Sequence, residues 1–150
     1  MKVEVKDTDP VYTIGIVAEK FKISVHTLRL YESEGLIIPY KTETNRRLYS
    51  NSDIQRIQCI RDMIEDKGLN FAGIKWALSM IPCWDLLPCS EKDRQTCDAF
   101  INSTSPCWSV PYKAEKCQNA DCRECHVYQQ LSSCNNFKEY LKANWRKNNG

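Results

Sequence analysis

Residues 13–49, TIGIVAEKFKISVHTLRLYESEGLIIPYKTETNRRLY, decide how the amino-terminal half folds. Ile14, Val17, Ala18 and Phe21 match the i, i+3, i+4, i+7 spacing of an amphipathic helix. Thr13 stands just ahead, where its hydroxyl can cap the first free N–H groups. Lys22-Ile23 is a short connection, and Ser24 can cap a second helix. There Val25, Leu28 and Tyr31 turn inward, leaving His26, Thr27, Arg29 and Leu30 on or near the outer face. Gly35 suits the end of this helix, because glycine reaches the left-handed conformation without strain. Leu36-Ile37-Ile38-Pro39 and Arg47-Leu48-Tyr49 then read as two short strands around the polar turn Lys41 to Arg46.

Working outward, Ser50 and Asp53 form a capping pair that opens a third helix with apolar positions Ile54, Ile57, Ile60 and Ile64. Cys59 within it reads as a buried structural thiol. Gly68 ends the third helix and Asn70 can cap a fourth, whose apolar face is Ile74, Ala77, Leu78 and Ile81. Pro82 forbids smooth continuation. Two short helices joined by a tight turn, the second polar and basic outside and followed by a hairpin, carry the signature of a winged helix-turn-helix.

The segments YTIGIVAEKFKISVHTLRLYESEGLI, TNRRLYSNSDIQRI and GLNFAGIKWAL, within residues 12–81, resemble the winged helix-turn-helix of MerR-family transcription regulators. The GLNFAG stretch is similar to short members such as the heat-shock repressors. The resemblance implies that the second helix enters the major groove of promoter DNA while the wing grips adjacent phosphates. His26, Thr27 and Arg29 are then the candidates for base-edge or nearby phosphate contacts, arginine being the commonest reader of guanine. Tyr31, Arg46 and Arg47 would hold the backbone and so set register, and Thr13 and Lys41 are further DNA-binding candidates. Tyr49 divides between that role and packing. Where many relatives carry Asn-Gly-Tyr-Arg in the wing, this chain has Thr44-Asn45-Arg46-Arg47. Asn45 still tolerates the left-handed conformation, and the turn gains a cation. A homodimer on a palindromic site is expected, with RNA polymerase as a further partner.

Eight of the nine cysteines follow Pro82, at positions 83, 89, 97, 107, 117, 122, 125 and 134. They form a weak repeat. Cys83-Trp84 is followed by Cys89 and Cys97-Asp98-Ala99-Phe100; Cys107-Trp108 is followed by Cys117, Cys122 and Cys125-His126-Val127-Tyr128. This layout resembles the cysteine-rich two-CW domain over about residues 82–129. Each half lacks apolar residues for a core of its own, and a bound metal would supply the missing cohesion. Thiolates suit zinc and iron–sulfur clusters alike, and the sensing role suggested by cysteine-rich tails on such regulators favours the cluster. Cys107, Cys117, Cys122 and Cys125 are the better-defined ligand set. Cys83, Cys89, Cys97 and Cys134 would make a second site or act as redox thiols. Cys122-x-x-Cys125-His126 also matches a c-type haem attachment pattern, but such attachment normally happens outside the cytosol, where a DNA-binding head does not belong. Trp84 and Trp108 read as apolar cover for the sulfurs rather than a cofactor-stacking pair.

The expected architecture is therefore mainly α with a small β-hairpin wing: a winged helix-turn-helix over 1–81, an irregular metal-dependent module over 82–134, and a carboxy-terminal helix with tail over 135–150. That last helix rests on a stripe of Leu131, Cys134, Phe137, Tyr140, Leu141 and Trp145, with Asn135 or Asn136 as cap. It would pack over the module or serve as the dimer contact. Residues 1–81 carry 12 Lys/Arg against 11 Asp/Glu, and residues 82–150 carry 9 against 8, so DNA contact must come from locally placed cations. No apolar run resembles a signal peptide or a membrane span, and a cytoplasmic location is expected. In a reducing cytosol this cysteine density points to metal or redox chemistry. The chain shows no Gly-rich nucleotide loop and no His/carboxylate constellation, so an enzyme is not expected. The rival readings are a thiol- or electron-transfer protein with a DNA-targeting head, and a structural zinc module that recruits a partner.

Overall fold

A computed structural model describes residues 3–101, 103–130, 134, 138, 139, 142, 143, 146 and 147. Strand β1 (Tyr12–Thr13) leads directly into helix α1 (Ile14–Phe21), and α2 (Val25–Ser33) follows. The Thr13 hydroxyl accepts the Ile16 N–H at 3.4 Å, and Ser24 accepts that of Thr27 at 3.0 Å, so both expected caps form. Between the helices Lys22 adopts φ 53°, which lets the Ile23 N–H reach back to the Ala18 carbonyl at 3.0 Å. The turn is tight because one residue accepts the left-handed conformation.

The wing comprises β2 (Tyr40–Lys41) and β3 (Arg47–Tyr49), and β3 lies between β1 and β2 in a three-stranded antiparallel sheet. Tyr12 faces Tyr49, and Lys41 faces Arg47. Two expectations change here. The strand expected over Leu36–Pro39 begins instead at Tyr40, and Tyr12–Thr13 adds a strand as well as a cap. Leu36 and Ile37 are core residues, and the backbone N–H and carbonyl of Ile38 bond to side chains of the cysteine-rich half rather than to a ladder. Asn45 turns the hairpin at φ 62°, as its short polar side chain permits.

Helix α3 (Asn51–Glu65) opens with the capping box of Ser50 and Asp53, and α4 (Phe71–Ser79) starts at Asn70, whose side chain accepts the Gly73 N–H at 2.9 Å. Val17, Leu28, Tyr31, Leu36, Tyr49, Ile57, Ile60 and Ile74 form the core of this head. The chain then breaks at Pro82 into short pieces: α5 (Cys83–Leu86), α6 (Glu91–Gln95), α7 (Asp98–Ile101), a 3-10 turn over Cys107–Ser109, α8 (Glu115–Gln118) and α9 (His126–Gln130). A second, smaller core of Ile81, Trp108, Val127 and Tyr128 gathers α5, the 3-10 turn and α9, more apolar cohesion than composition promised.

The two halves are bonded to one another through buried polar contacts. The Trp108 indole donates to the Gly35 carbonyl at 2.7 Å, and the Tyr128 hydroxyl accepts the Ile38 N–H at 2.8 Å. Gly35 has φ 74°, and a Cβ there would come within 2.9 Å of Ser109 Cβ, so glycine is required twice over at this junction. The described residues beyond position 133 (Cys134, Lys138, Glu139, Lys142, Ala143, Arg146 and Lys147) are helical. The expected stripe residues Leu131, Phe137, Tyr140, Leu141 and Trp145, and the caps Asn135 and Asn136, lie outside the described residues. Among the described residues no helix is long and apolar enough to cross a membrane.

Candidate functional site

The first element of the site is the outer face of α2 with the neighbouring wing. His26 and Arg29 are exposed on α2, Arg46 is exposed at the wing tip, and Lys41 is exposed on β2. Thr27 is half-buried, and its hydroxyl shares a 2.9 Å hydrogen bond with Ser24, so it both faces outward and secures the start of the helix. Thr13 is half-buried and occupied as a cap. Tyr31 does not join this surface. It is 2% exposed and packs edge-to-face on Phe71, because its position on α2 falls on the inward stripe with Leu28. Tyr49 likewise packs, at 0% exposure, and burial of its ring pushes the phenol up to about 12.

Arg47 and Lys41 are held by a residue that sequence reasoning passed over. Glu32, in the last turn of α2, accepts Arg47 Nε at 2.6 Å and lies 3.0 Å from Lys41 Nζ. Burial alone would raise the Glu32 carboxyl, but the hydrogen bonds and charge of Arg47 and Lys41 outweigh it and hold the group below its usual range. The recognition helix and the wing are thereby tied by one carboxylate. The only signal in the sequence was charge complementarity between positions far apart along the chain.

The second element is the junction. Arg123, from the Cys122-x-x-Cys125 turn, is 4% exposed and donates to Asp53 Oδ1 at 3.1 Å and Oδ2 at 2.8 Å. Its guanidinium also donates to the Ile38 carbonyl at 2.6 Å, so the pair is bidentate and further satisfied. Desolvation opposes the Arg123 charge, yet the Asp53 carboxylate more than restores it. Arg56 on α3 is also buried; its guanidinium donates to the Tyr128 carbonyl and lies 3.8 Å from the Tyr128 ring centre and 5.4 Å from that of Trp108. Neither arginine announced itself in the sequence, since arginine in a polar stretch ordinarily stays solvated.

The third element is a cavity walled by thiols. Cys83, Cys89, Cys97, Cys107, Cys117, Cys122 and Cys125 all line it, with Trp84, Phe100 and Trp108 as apolar walls. The two tryptophans do not stack on each other. Trp84 meets Phe100 edge-on at 5.0 Å and Trp108 meets Tyr128 edge-on at 5.1 Å, so each Cys-Trp motif pairs with the aromatic that closes its own repeat. Cys83 and Cys107 are hydrogen-bonded; this bond favours the Cys83 thiolate and, with burial, pushes the Cys107 thiol up. Burial also raises Cys117. Lys113 Nζ donates to Cys122 Sγ at 3.2 Å, and Arg94 on the same wall keeps a buried Nε without a hydrogen-bond partner. Soft donors under an apolar roof with two adjacent cations fit a thiolate-ligated metal centre in chemistry. Among the described residues, no three of these groups already stand close enough together to grip an ion. Cys134 leaves the expected second ligand set: it is disulfide-bonded to Cys59 of α3, with Cα atoms 5.4 Å apart. Both sulfurs pack against the head's core, away from the cavity.

Comparison with known proteins follows the same division of the chain. Residues 12–81 match the MerR HTH family regulatory protein model. Over 71 residues the chain is 42% identical to the HTH-type transcriptional regulator GlnR of Bacillus anthracis, covering 47% of this chain and 54% of that protein. It is 36% identical to HspR of Streptomyces coelicolor over 72 residues, 48% of each chain. To the HTH-type transcriptional regulator TnrA of Bacillus subtilis it is 39% identical over 64 residues, 43% of this chain and 57% of that one. The chain thus spans about half the length of the curated relatives it matches. With capped α1 and α2, the α2–wing pairing through Glu32 and the three-stranded sheet in place, residues 12–81 of this chain are similar in sequence to the MerR-family helix-turn-helix domain.

Proposed function

We propose that the protein is a sequence-specific, double-stranded-DNA-binding transcription regulator whose cysteine-rich, two-CW-like half holds a thiolate-bound metal centre and passes its state to the head. The observation that carries the reading is the placement of Arg123. It sits between Cys122 and Cys125 while bonding Asp53 at the start of α3 and Ile38 just before the wing. A change at those sulfurs would therefore be felt at the first turn of α3 and at the backbone just ahead of the wing. His26, Arg29 and Arg46 remain exposed, free to meet DNA. The protein works as a homodimer on a palindromic promoter site, since one head of this size reads one half-site. Its metal centre is an iron–sulfur cluster or zinc, and the promoter complex includes RNA polymerase. The setting is the cytoplasm.

Selection of bound fragments from a genomic pool, followed by anisotropy titration, tests the DNA half of the reading. Arg29→Ala should weaken operator binding by roughly 1–3 kcal/mol with the fold unchanged by circular dichroism. Equal affinity of variant and parent would remove Arg29 from the interface. Anaerobic purification tests the metal half. A brown protein favours a cluster that senses, and a colourless zinc protein favours a scaffold.

A further inference from the structure

Seven thiols around one cavity exceed what a single four-coordinate centre requires, so the question is which of them ligate. Four separate themselves from the rest. Cys83, Cys107, Cys122 and Cys125 pack against the small core of Ile81, Trp108, Val127 and Tyr128, whereas Cys89, Cys97 and Cys117 do not. Within the four, Cys83 and Cys107 open the two Cys-Trp motifs and line the same cavity. Cys122 and Cys125 are held on one tight turn, the Cys125 N–H reaching the Cys122 carbonyl at 3.2 Å and the Glu124 N–H reaching that of Asp121 at 3.1 Å. That turn is anchored on both sides: Asp121 accepts the Arg123 N–H at 3.0 Å, and Arg123 is locked onto Asp53. α5, which begins with Cys83, packs against α9, which begins just after Cys125.

We infer that Cys83, Cys107, Cys122 and Cys125 are the four ligands of one tetrathiolate metal centre, with Cys117, Cys89 and Cys97 outside it. The inference rests on the metal-binding part of the proposed function and revises the ligand set expected from the sequence, exchanging Cys117 for Cys83. Each Cys-Trp motif contributes its cysteine and the Cys-x-x-Cys turn contributes the other two, so the repeat meets across the cavity rather than forming two sites. Lys113, already donating to Cys122 Sγ, supplies a cation and a hydrogen bond to the thiolate charge. Such bonds are what tune a thiolate centre. Metal binding draws the two pairs together and releases the thiol protons to solvent. Zinc and an iron–sulfur cluster share this ligand chemistry.

The full-length protein, reduced and metal-stripped, is loaded in two parallel arms: zinc chloride in one, ferrous iron with sulfide under anaerobic conditions in the other. Metal per chain is then measured, and loaded protein is treated with iodoacetamide and mapped by mass spectrometry. In the supporting outcome, at least one arm gives stoichiometric loading. Cys83, Cys107, Cys122 and Cys125 are then protected at least tenfold against alkylation relative to stripped protein, while Cys117 stays reactive. Cys83→Ser loses the metal and Cys117→Ser keeps it. Protection of Cys117 with Cys83 still reactive overturns the assignment but leaves a metal module standing. Failure of the parent protein to load in either arm, with operator binding intact, removes the metal centre altogether and this assignment with it. The footprint on unmutated protein decides the matter even where Cys83→Ser does not fold.

Discussion

Glu32 shows how one side chain sets the electrostatics of a surface. It neutralises Lys41 and Arg47, two of the expected phosphate-holding cations, and leaves Arg46 and Arg29 exposed. A mainly polar pair of bridges at a partly exposed site contributes little stability by itself, so its main effect is on where positive charge is offered. Glu32→Gln should release both cations, tighten binding to non-specific duplex, and steepen the salt dependence by about 0.9 in log–log slope per phosphate gained. A slope unchanged between 50 and 200 mM salt, the range over which such contacts are read, would show that both cations already reach DNA. The pH dependence has a definite sign. The folded Glu32 carboxyl lies below its usual 4.5, so its stabilising effect is present above that value and is lost as pH falls through the lower folded value. The stability difference between parent and Glu32→Gln should therefore shrink below pH 4.5 in urea titrations, and a difference that grows on acidification would reverse the assignment.

At the scale of elements, α3 carries bonds to the cysteine-rich half through Asp53 and Arg56. Its first turn is capped by Ser50 and Asp53, and the same Asp53 carboxylate takes the Arg123 guanidinium. Both partners are nearly fully buried, at 5% and 3% side-chain exposure, so removing one leaves an uncompensated charge out of water. Arg123→Met should cost roughly 3–5 kcal/mol of unfolding free energy. Adding Asp53→Asn should return part of that cost, a coupling a double-mutant cycle reads directly. Additive losses in the cycle would mean that the two side chains act independently. Gly35 belongs to the same scale. Its φ of 74° ends α2, and its lack of a side chain admits Ser109, so the end of the recognition helix and the docking of the cysteine-rich half share one residue.

For the molecule as a whole, the head's core and the smaller core around Trp108 meet at Leu78, which packs against both, and are joined further by part-buried hydrogen bonds. Such bonds are directional and break together, so the halves should unfold in one step when the cysteine-rich half is intact. Loading with the metal that binds should raise the melting temperature of the head as well as that of the module, since ligand binding to the native state stabilises everything cooperative with it. A head transition that ignores chelator, seen as two separate steps in calorimetry, would show that the junction does not transmit.

The chain's order of residues determined the local events by itself. Thr13, Ser24, Ser50 and Asn70 cap helices where they stand, Gly35 and Gly68 take positive φ, and Pro82 stops α4 from extending. Caps, periodicity and turn chemistry act over a few residues, so a linear reading contains them. Ile38, Tyr31, Cys134 and Arg123 were decided only by folding. Ile38 gave its backbone groups to side chains about ninety positions away rather than to a strand. Tyr31 went to the core, Cys134 went to Cys59 across 75 residues, and Arg123 found a buried carboxylate 70 positions upstream. Partners at such separations are chosen by which surfaces meet in three dimensions, and that information lies in packing rather than in neighbouring letters.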